Sequence, residues 1–399
     1  MIYFLVFIYL LYVFLRCFFA ILQINFIKNA SLKKAVVLSD DEYKNAANIA
    51  IQNQKFELTS LIFNALVAIF WIVFGLKILY AYIVTDDTIA QNIAFAMAFV
   101  FINLVIDLPF NIYEKFIKDK KQGFSNLTPK IFIVDTIKSL LLTLIFGSGF
   151  IWIILTCIDF LGEFWWLWAF FISFGIIIVI NLIYPTIIAP MFNKVTPLEE
   201  GELKSAIENL LTGLGFKSSG VFVMDASKRD SRLNAYFGGL GATKRVVLFD
   251  TLIQKLSIDE IIAVLGHELG HFKHKDILKM IALSAIMLFL FFAIFANIPN
   301  SVYESIGVFG GGGFVVFFLL FSPIFSFLFN PIIGFISRKN EFGADEFGAK
   351  TKDKQSMIDA LKKLGLENKA FPLSHPLYSA IYHSHPTLFE RIEKLKNES

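Results

Sequence analysis

The residues best suited to carry chemistry lie in the segment AVLGHELGHFKHKD, residues 263–276. His267 and His271 are four residues apart, so on a helix they lie one above the other and can reach a single ion. Zinc accepts neutral imidazole nitrogens as ligands, and Glu268 falls where it can act on a zinc-bound water. The pattern therefore predicts a hydrolytic centre with one zinc ion per chain.

This geometry requires a helix, and the preceding residues predict one. Ser257 and Glu260 have the S-x-x-E spacing of a capping box, in which two side chains satisfy backbone N–H groups at a helix start. His274 returns to the same face as His267, but seven residues correspond to roughly 10 Å along the axis, too far for a shared ion. The third ligand must therefore come from another segment.

The segment SRKNEFGADEFGAK, residues 337–350, offers the best candidate for that third ligand. Glu341 and Asp345 are four residues apart and would share one helix face. Glu341 can then bind the metal, while Asp345 accepts a hydrogen bond from the far nitrogen of a ligating histidine. An ordinary charged helix shows the same spacing, so this interpretation depends on the need for a third ligand.

Composition places this centre in a membrane protein. Hydrophobic residues make up 56% of the 399-residue chain and charged residues 17%, against about a quarter charged in soluble domains. The net charge of +3, without a block of Lys and Arg, does not indicate nucleic acid as a partner. The expected surroundings are a lipid bilayer.

Seven apolar stretches are long enough to cross about 30 Å of hydrocarbon, which takes roughly 20 residues. They lie at about 2–27, 57–84, 88–109, 132–158, 165–190, 277–299 and 314–336. The four glycines at 310–313, just before the last stretch, are predicted to form a loop.

Charge in the connecting loops predicts the orientation of these spans. The loops at about 28–56 and 110–131 each contain five Lys or Arg, whereas the alternate loops contain none. Because positively charged loops remain in the cytoplasm, the N-terminus should lie outside. Residues 191–276 and 338–399 should then share the cytoplasmic side, where the histidines and Glu341 can meet.

The fold class predicted is mainly α, a polytopic membrane protein with a small β-sheet in its catalytic region. Three β-rich pieces, GVFVMD, NAYFGGLG and RVVLFD, follow a helical pattern at 196–215. Four regions result: a five-helix membrane region, a catalytic region with the HELGH helix, a two-helix membrane region and a C-terminal region that completes the metal site. They span 1–190, 191–276, 277–337 and 338–399.

Longer segments of the chain resemble the type I CAAX prenyl protease family of integral-membrane zinc metallopeptidases. The resemblance covers nearly the whole chain and is far more specific than H-E-x-x-H alone. It is carried by LPFNIYEKFIKDKKQGFSNLTPKIFIVDTIK, YPTIIAPMFNKVTPLEEGEL, MDASKRDSRLNAYFGGLGATKRVVLFDTLI and SHPTLFERI. The resemblance implies seven membrane helices that enclose a water-filled chamber.

The same resemblance implies roles for the candidate residues. His267, His271 and Glu341 become the metal ligands, Glu268 the general base and Asp345 the partner of a ligating histidine. These roles agree with those that the spacing suggests.

The C-terminal box departs from the family in one respect. The family often has a histidine three residues before that of the SHP motif, where this chain has Tyr382. His383 lies two residues before it instead. His385 is the favoured stabiliser of the oxyanion, with His383 as the alternative.

The piece NAYFGGLG is a candidate substrate-binding strand. Extended peptides bind by adding a strand to an exposed sheet edge, and Asn234, Ala235, Tyr236 and Phe237 would line such an edge. The alternative is that this strand only pairs within its own sheet.

The function predicted is a membrane-embedded zinc metalloendopeptidase that cleaves near the C-terminus of proteins, with prenylated proteins as candidate substrates. A quality-control protease for misfolded membrane proteins, using the same chemistry, is the alternative. A non-enzymatic receptor or transporter is disfavoured by the metal-binding pattern. The expected location is the inner membrane in a bacterium and the endoplasmic reticulum membrane in a eukaryote.

Overall fold

The structure is a computed structural model that describes residues 1–216, 218–238 and 244–397. Within these residues, seven helices are long and apolar enough to cross a membrane, which confirms the predicted fold class. We number them spans 1 to 7. Their bounds are Ile2–Ser31, Asp40–Ile83, Ile89–Lys121, Pro129–Phe160, Gly162–Phe192, Asp276–Ala296 and Gly310–Thr351.

Several spans extend beyond their apolar parts. Span 2 starts at Asp40 because Ser39 and Glu42 form a capping box, in which the Ser39 N–H donates to Oε2 of Glu42 at 2.9 Å. The segment 28–56, predicted as a loop, is therefore mostly helical. Single π turns interrupt spans 2 to 5, at Trp71–Gly75, Glu114–Lys118, Thr143–Gly147 and Tyr184–Ile188.

Span 7 is one helix of 42 residues that continues past Pro323 and Pro331. At about 1.5 Å per residue it is roughly 63 Å long, about twice the thickness of the hydrocarbon core. Its C-terminal turns therefore project beyond the bilayer, and they carry Glu341. The boundary predicted after residue 337 falls inside this helix.

The loop predicted at 310–313 is wrong, since these four glycines form the first turn of span 7. Close packing explains their presence. A Cβ on Gly311 would lie 2.7 Å from Cδ2 of Leu155, and one on Gly313 would lie 2.9 Å from the carbonyl carbon of Val308. A larger residue would collide with these neighbours, so the lack of a side chain explains the glycines here.

Among its described residues, the catalytic region contains a four-stranded mixed sheet in the order β1-β2-β4-β3. The strands are β1 Val195–Pro197, β2 Val221–Met224, β3 Ala235–Gly238 and β4 Arg245–Phe249. β2 and β4 are parallel, and the other pairs are antiparallel. β2, β3 and β4 lie within the three predicted β-rich pieces, whereas β1 was not predicted. Of the piece NAYFGGLG, residues 239–241 lie outside the described residues.

Shorter helices complete this region and the C-terminus, and one more lies between spans 6 and 7. They are Glu202–Gly213, Asp250–Lys255, Ile258–Lys273, Asn300–Glu304, Lys354–Glu367, Pro376–Tyr382 and Leu388–Asn397, with a 3-10 turn at Ala226–Lys228. Ile258–Lys273 is the HELGH helix, and Ser257 and Glu260 cap its start as predicted.

The HELGH helix lies between the sheet and span 7. On one side, Ile261 and Leu265 belong to the same buried apolar cluster as Leu248 of β4. On the other side, a Cβ added to Gly270 would lie 3.0 Å from Cα of Ala344. The two helix backbones therefore approach closely, which brings Glu341 to the histidines.

Polar contacts fasten the catalytic region to span 4. Nε and Nη2 of Arg229 donate to the two carboxylate oxygens of Asp135 at 2.8 and 3.1 Å. Near this contact, Nζ of Lys138 donates to the carbonyl oxygen of Met191, at the end of span 5, at 2.7 Å. Asp135 and Lys138 thus find their partners within the protein.

Candidate metal centre

Three side chains converge where the HELGH helix meets span 7. His267, His271 and Glu341 each offer one ligand atom, and these atoms lie within 4.8 Å of one another. Nε2 of His267 is 3.5 Å from Oε2 of Glu341, and Nε2 of His271 is 3.3 Å from Oε1. These are the three residues that the sequence predicts as ligands.

A carboxylate holds each imidazole in place through the nitrogen that faces away from the centre. Nδ1 of His267 is 2.8 Å from Oδ1 of Asp345, and Nδ1 of His271 is 3.1 Å from Oδ2 of Asp276. Such bonds orient the ring and leave Nε2 free to bind a metal. The sequence predicts the role of Asp345, but it does not reveal that of Asp276.

The position of Asp276 depends on a reversal of the chain. The HELGH helix ends at Lys273, and Lys275 adopts a left-handed conformation with φ 58° before span 6 starts at Asp276. Its carboxylate thereby returns to His271 and also accepts a bond from Lys279 at 2.8 Å. An acidic residue five positions after the second histidine is the only sequence signal for this contact.

Arg391 forms an outer layer of the centre that sequence reasoning also missed. Its Nε donates to Oδ2 of Asp345 at 2.8 Å and its Nη2 to Oδ1 at 2.5 Å. The same Nη2 lies 3.7 Å from Oε2 of Glu341. Arg391 belongs to the SHPTLFERI segment, and its place in that segment is the only sequence signal.

The donor set fits a divalent metal. Oε2 of Glu341 is buried and has no hydrogen-bond partner among the described residues, although Nδ1 of His385 lies 2.8 Å away. A buried carboxylate requires a compensating positive charge. The guanidinium of Arg391, 3.7 Å away, also serves Asp345, and a metal ion held by Glu341 and the two imidazole nitrogens would supply a further positive charge. Two nitrogens and one oxygen would leave one position of a tetrahedral metal open for chemistry.

Glu268 and His385 lie beside this cluster. Glu268 lines two cavities that meet at the centre, and burial raises the pKa of its carboxyl group despite the neighbouring histidines. His385 lines the first of these cavities. The ring of His383 instead packs edge-on against Tyr378, with ring centroids 5.6 Å apart.

Strand β3 leads from one cavity to the other. Asn234 and Ala235 line the first cavity, of about 430 Å³, and Tyr236 and Phe237 line the second, of about 530 Å³. Both cavities reach Glu268 and Glu341. β3 is the last strand in the order of the sheet, paired with β4.

His274 lies outside the ligand cluster, in agreement with the helical spacing. Its ring contacts Phe347 edge-on, with centroids 6.0 Å apart.

Known proteins resemble both halves of this chain. Residues 197–399 match Peptidase family M48, and residues 23–194 match a family described as CAAX prenyl protease N-terminal, five membrane helices. CAAX prenyl protease 1 of Saccharomyces cerevisiae is 39% identical over 330 residues, which cover 77% of this chain and 73% of that protein. For the CAAX prenyl protease 1 homolog of Homo sapiens, identity is 31% over 365 residues, with 79% and 76% covered.

A solved structure agrees over the full length. The crystal structure of S. mikatae Ste24p superimposes with a TM-score of 0.89 at 32% identity, covering 98% of this chain and 97% of that one. These similarities favour a prenyl protease over a quality-control protease. The protein is a multi-pass membrane metallopeptidase, and the chain belongs to the CAAX prenyl protease type of peptidase family M48.

Proposed function

We propose that this protein uses zinc to hydrolyse peptide bonds near the C-terminus of prenylated proteins. The observation that carries the proposal is the convergence of three ligand atoms within 4.8 Å beside Glu268. The printed names of its relatives, CAAX prenyl proteases, support the choice of substrate.

Zinc suits this donor set better than a harder cation does. His267 and His271 offer nitrogen, whereas magnesium and calcium prefer sites made of oxygen. When bound, zinc supplies a Lewis acid that polarises a carbonyl group and lowers the pKa of water. Asp345 and Asp276 hold the two imidazoles in the tautomer that presents Nε2.

Glu268 is the general base of the proposed reaction. Its carboxylate takes a proton from the attacking water and passes it to the amine of the leaving peptide. A general base works best when its pKa lies near the working pH. Burial raises the pKa of Glu268 and so shifts it towards neutral pH. Because Glu268 lies on the HELGH helix between His267 and His271, the helix would hold it beside a metal bound by those two residues.

His385 and strand β3 complete the proposed site. In this proposal the imidazole of His385 stabilises the oxyanion that forms on the scissile carbonyl group. Its Nδ1 lies 2.8 Å from Oε2 of Glu341, which supports this role. A substrate extended along β3 would pass from one cavity to the other through the centre. Asn234, Ala235, Tyr236 and Phe237 would then position its backbone.

The proposal includes an orientation in the membrane. The membrane regions are 1–190 and 277–337. The catalytic region 191–276, which connects them, and the C-terminal region 338–399 both lie in the cytoplasm. The membrane is the endoplasmic reticulum in a eukaryote and the inner membrane in a bacterium. Cysteines introduced at positions 161 and 367 should react with an impermeant reagent from opposite sides, whereas labelling of both from one side would refute this orientation.

Two peptides that share one sequence ending in C-a-a-X, one farnesylated and one unmodified, test the proposal. The purified protein with zinc should cleave the farnesylated peptide faster, and the Glu268→Gln variant should cleave neither. Equal rates for both peptides would show that the lipid is not recognised. Cleavage by the variant would contradict the role of Glu268.

A further inference from the structure

A groove of about 630 Å³ lies between spans 2 and 3, and none of its lining residues is shared with the cavities at the metal centre. Its lining combines basic and aromatic side chains. They are Lys55, Lys118 and Lys121, with Phe56, Phe110 and Tyr113.

The aromatic side chains form a packed apolar floor. The ring of Phe56 stacks on Tyr113 with centroids 5.5 Å apart and 19° between the planes. Phe110 lies 6.3 Å from Phe56 and 4.9 Å from Phe63 of span 2. Pro109 and the π turn Glu114–Lys118 fall within this part of span 3. The floor therefore offers contact area for hydrocarbon.

The lysines give the groove an uncompensated positive charge. Nζ of Lys118 lies 4.8 Å from the centre of the Phe56 ring and donates to Oε1 of Glu114 at 2.7 Å. Lys55 and Lys121 are exposed, and within the described residues no carboxylate lies at ion-pair distance from either. The carboxylates of Glu114 and Asp119 both lie at ion-pair distance from Lys118. The ammonium groups of Lys55 and Lys121 are therefore the two positive charges that remain at the rim.

The groove faces away from the interior of the protein. On span 2, Gln54 points inward, since its Nε2 donates to the hydroxyl group of Tyr378 at 2.8 Å. At about 100° per residue, Lys55, Phe56 and Thr59 lie roughly 100° to 160° around the helix from Gln54. This face is therefore turned towards the surroundings of the bundle.

The groove also lies at the boundary of the apolar stretches. The apolar part of span 2 begins after Lys55, and that of span 3 ends near Phe110. The lysines thus stand at headgroup level, while the rings reach into the hydrocarbon. Basic pockets between membrane helices at this level bind anionic headgroups.

We propose that this groove binds an anionic phospholipid. The phosphate group lies between Lys55 and Lys121, and the acyl chains lie on the floor formed by Phe56, Phe110 and Tyr113. Charge complementarity at the rim selects an anionic over a zwitterionic headgroup, and the apolar floor selects a lipid over a free phosphate ion.

The test uses native mass spectrometry of the delipidated full-length protein with phosphatidylglycerol or phosphatidylcholine of identical chains. Phosphatidylglycerol should bind more tightly, and the double variant Lys55→Gln/Lys121→Gln should weaken its binding about 30-fold. The double variant Lys120→Gln/Lys130→Gln loses the same charge outside the groove and should weaken it less than about 3-fold. An equal loss in both variants, or equal binding of the two lipids, would overturn the proposal.

A second measurement locates the acyl chains. A phosphatidylglycerol with a photoreactive acyl chain should cross-link near Thr59 and Phe110. Cross-links confined to other spans would overturn the assignment. Millimolar inorganic phosphate should leave the lipid bound, and its displacement by phosphate would show a phosphate site rather than a lipid site.

Discussion

Nδ1 of His267 and Oδ1 of Asp345 lie 2.8 Å apart, which joins the HELGH helix to the far end of span 7 by one hydrogen bond. Arg391 binds the same carboxylate through two nitrogens and keeps it charged and oriented. The bond fixes His267 in the tautomer that presents Nε2 to Glu341. The proposed metal centre would therefore depend on contacts beyond its ligands.

Replacing Asp345 with asparagine should weaken zinc affinity about 10- to 100-fold, because the amide orients the imidazole less strongly and removes a negative charge. Chelator competition measures the affinity directly. Glu346→Gln, on the same helix, is the matched control, since its side chain is exposed and pairs with Lys350. Equal affinity in wild type and Asp345→Asn would show that Asp345 has no influence on the metal.

Metal affinity should fall as the pH decreases. Burial disfavours the charged form of the His271 imidazole. The carboxylates of Glu341 and Asp276 favour the charged form more strongly, so the pKa of His271 is raised to about 9. Below this pH the metal must displace a proton, so affinity should fall about tenfold per pH unit. Zinc titration against a competing chelator between about pH 6 and pH 8 measures how the affinity changes with pH, after correction for the chelator's own protonation.

Asp276→Asn serves as the control for that slope, since it removes one of the three carboxylates, those of Glu341, Asp276 and Glu268, that raise the pKa of His271. The pH dependence should become shallower near the upper end of the range. A flat profile in the wild-type protein would contradict the predicted proton competition.

Gly270→Ala should push the HELGH helix away from span 7, because the added Cβ would lie 3.0 Å from both Cα of Ala344 and Cβ of Phe347. We expect a loss of about 1–3 kcal/mol in the free energy of unfolding and reduced zinc occupancy. Gly149→Ala places its Cβ in open space and should change neither. Similar behaviour of the two variants in thermal unfolding and metal analysis would disprove this close contact.

Tyr236→Phe tests the second cavity. Burial raises the pKa of Tyr236 to about 12, so its hydroxyl group stays a neutral donor at neutral pH, and it lacks a partner among the described residues. Without a bond to substrate, KM should rise about 5- to 10-fold with little change in kcat. Tyr303→Phe, in the connection between spans 6 and 7, should leave KM unchanged. An unaltered KM in Tyr236→Phe would remove this residue from the binding site.

The sequence predicts those parts of the site that depend on local spacing. The positions of His267, Glu268 and His271 follow from one capped helix, and Glu341 and Asp345 follow from a second helix and the family resemblance. Asp276 and Arg391 escape prediction because their contacts depend on a left-handed turn at Lys275 and on the folded position of the C-terminal helix.

Packing explains the remaining differences in the fold. Strand β1 is only three residues long and includes Pro197, so its pairing with β2 leaves little periodic signal. Span 7 continues through Pro323 and Pro331 because neighbouring helices can support a backbone from which proline has removed a donor. Neither feature follows from local residue preferences.

The central claim is that Glu268 performs the chemistry while three other side chains hold the metal. Parallel measurement of zinc content and peptide cleavage in wild type and Glu268→Gln tests it most directly. We expect about one zinc per chain in both proteins and cleavage only in the wild type. A Glu268→Gln protein that loses its zinc, or one that still cleaves at the wild-type rate, would contradict this account.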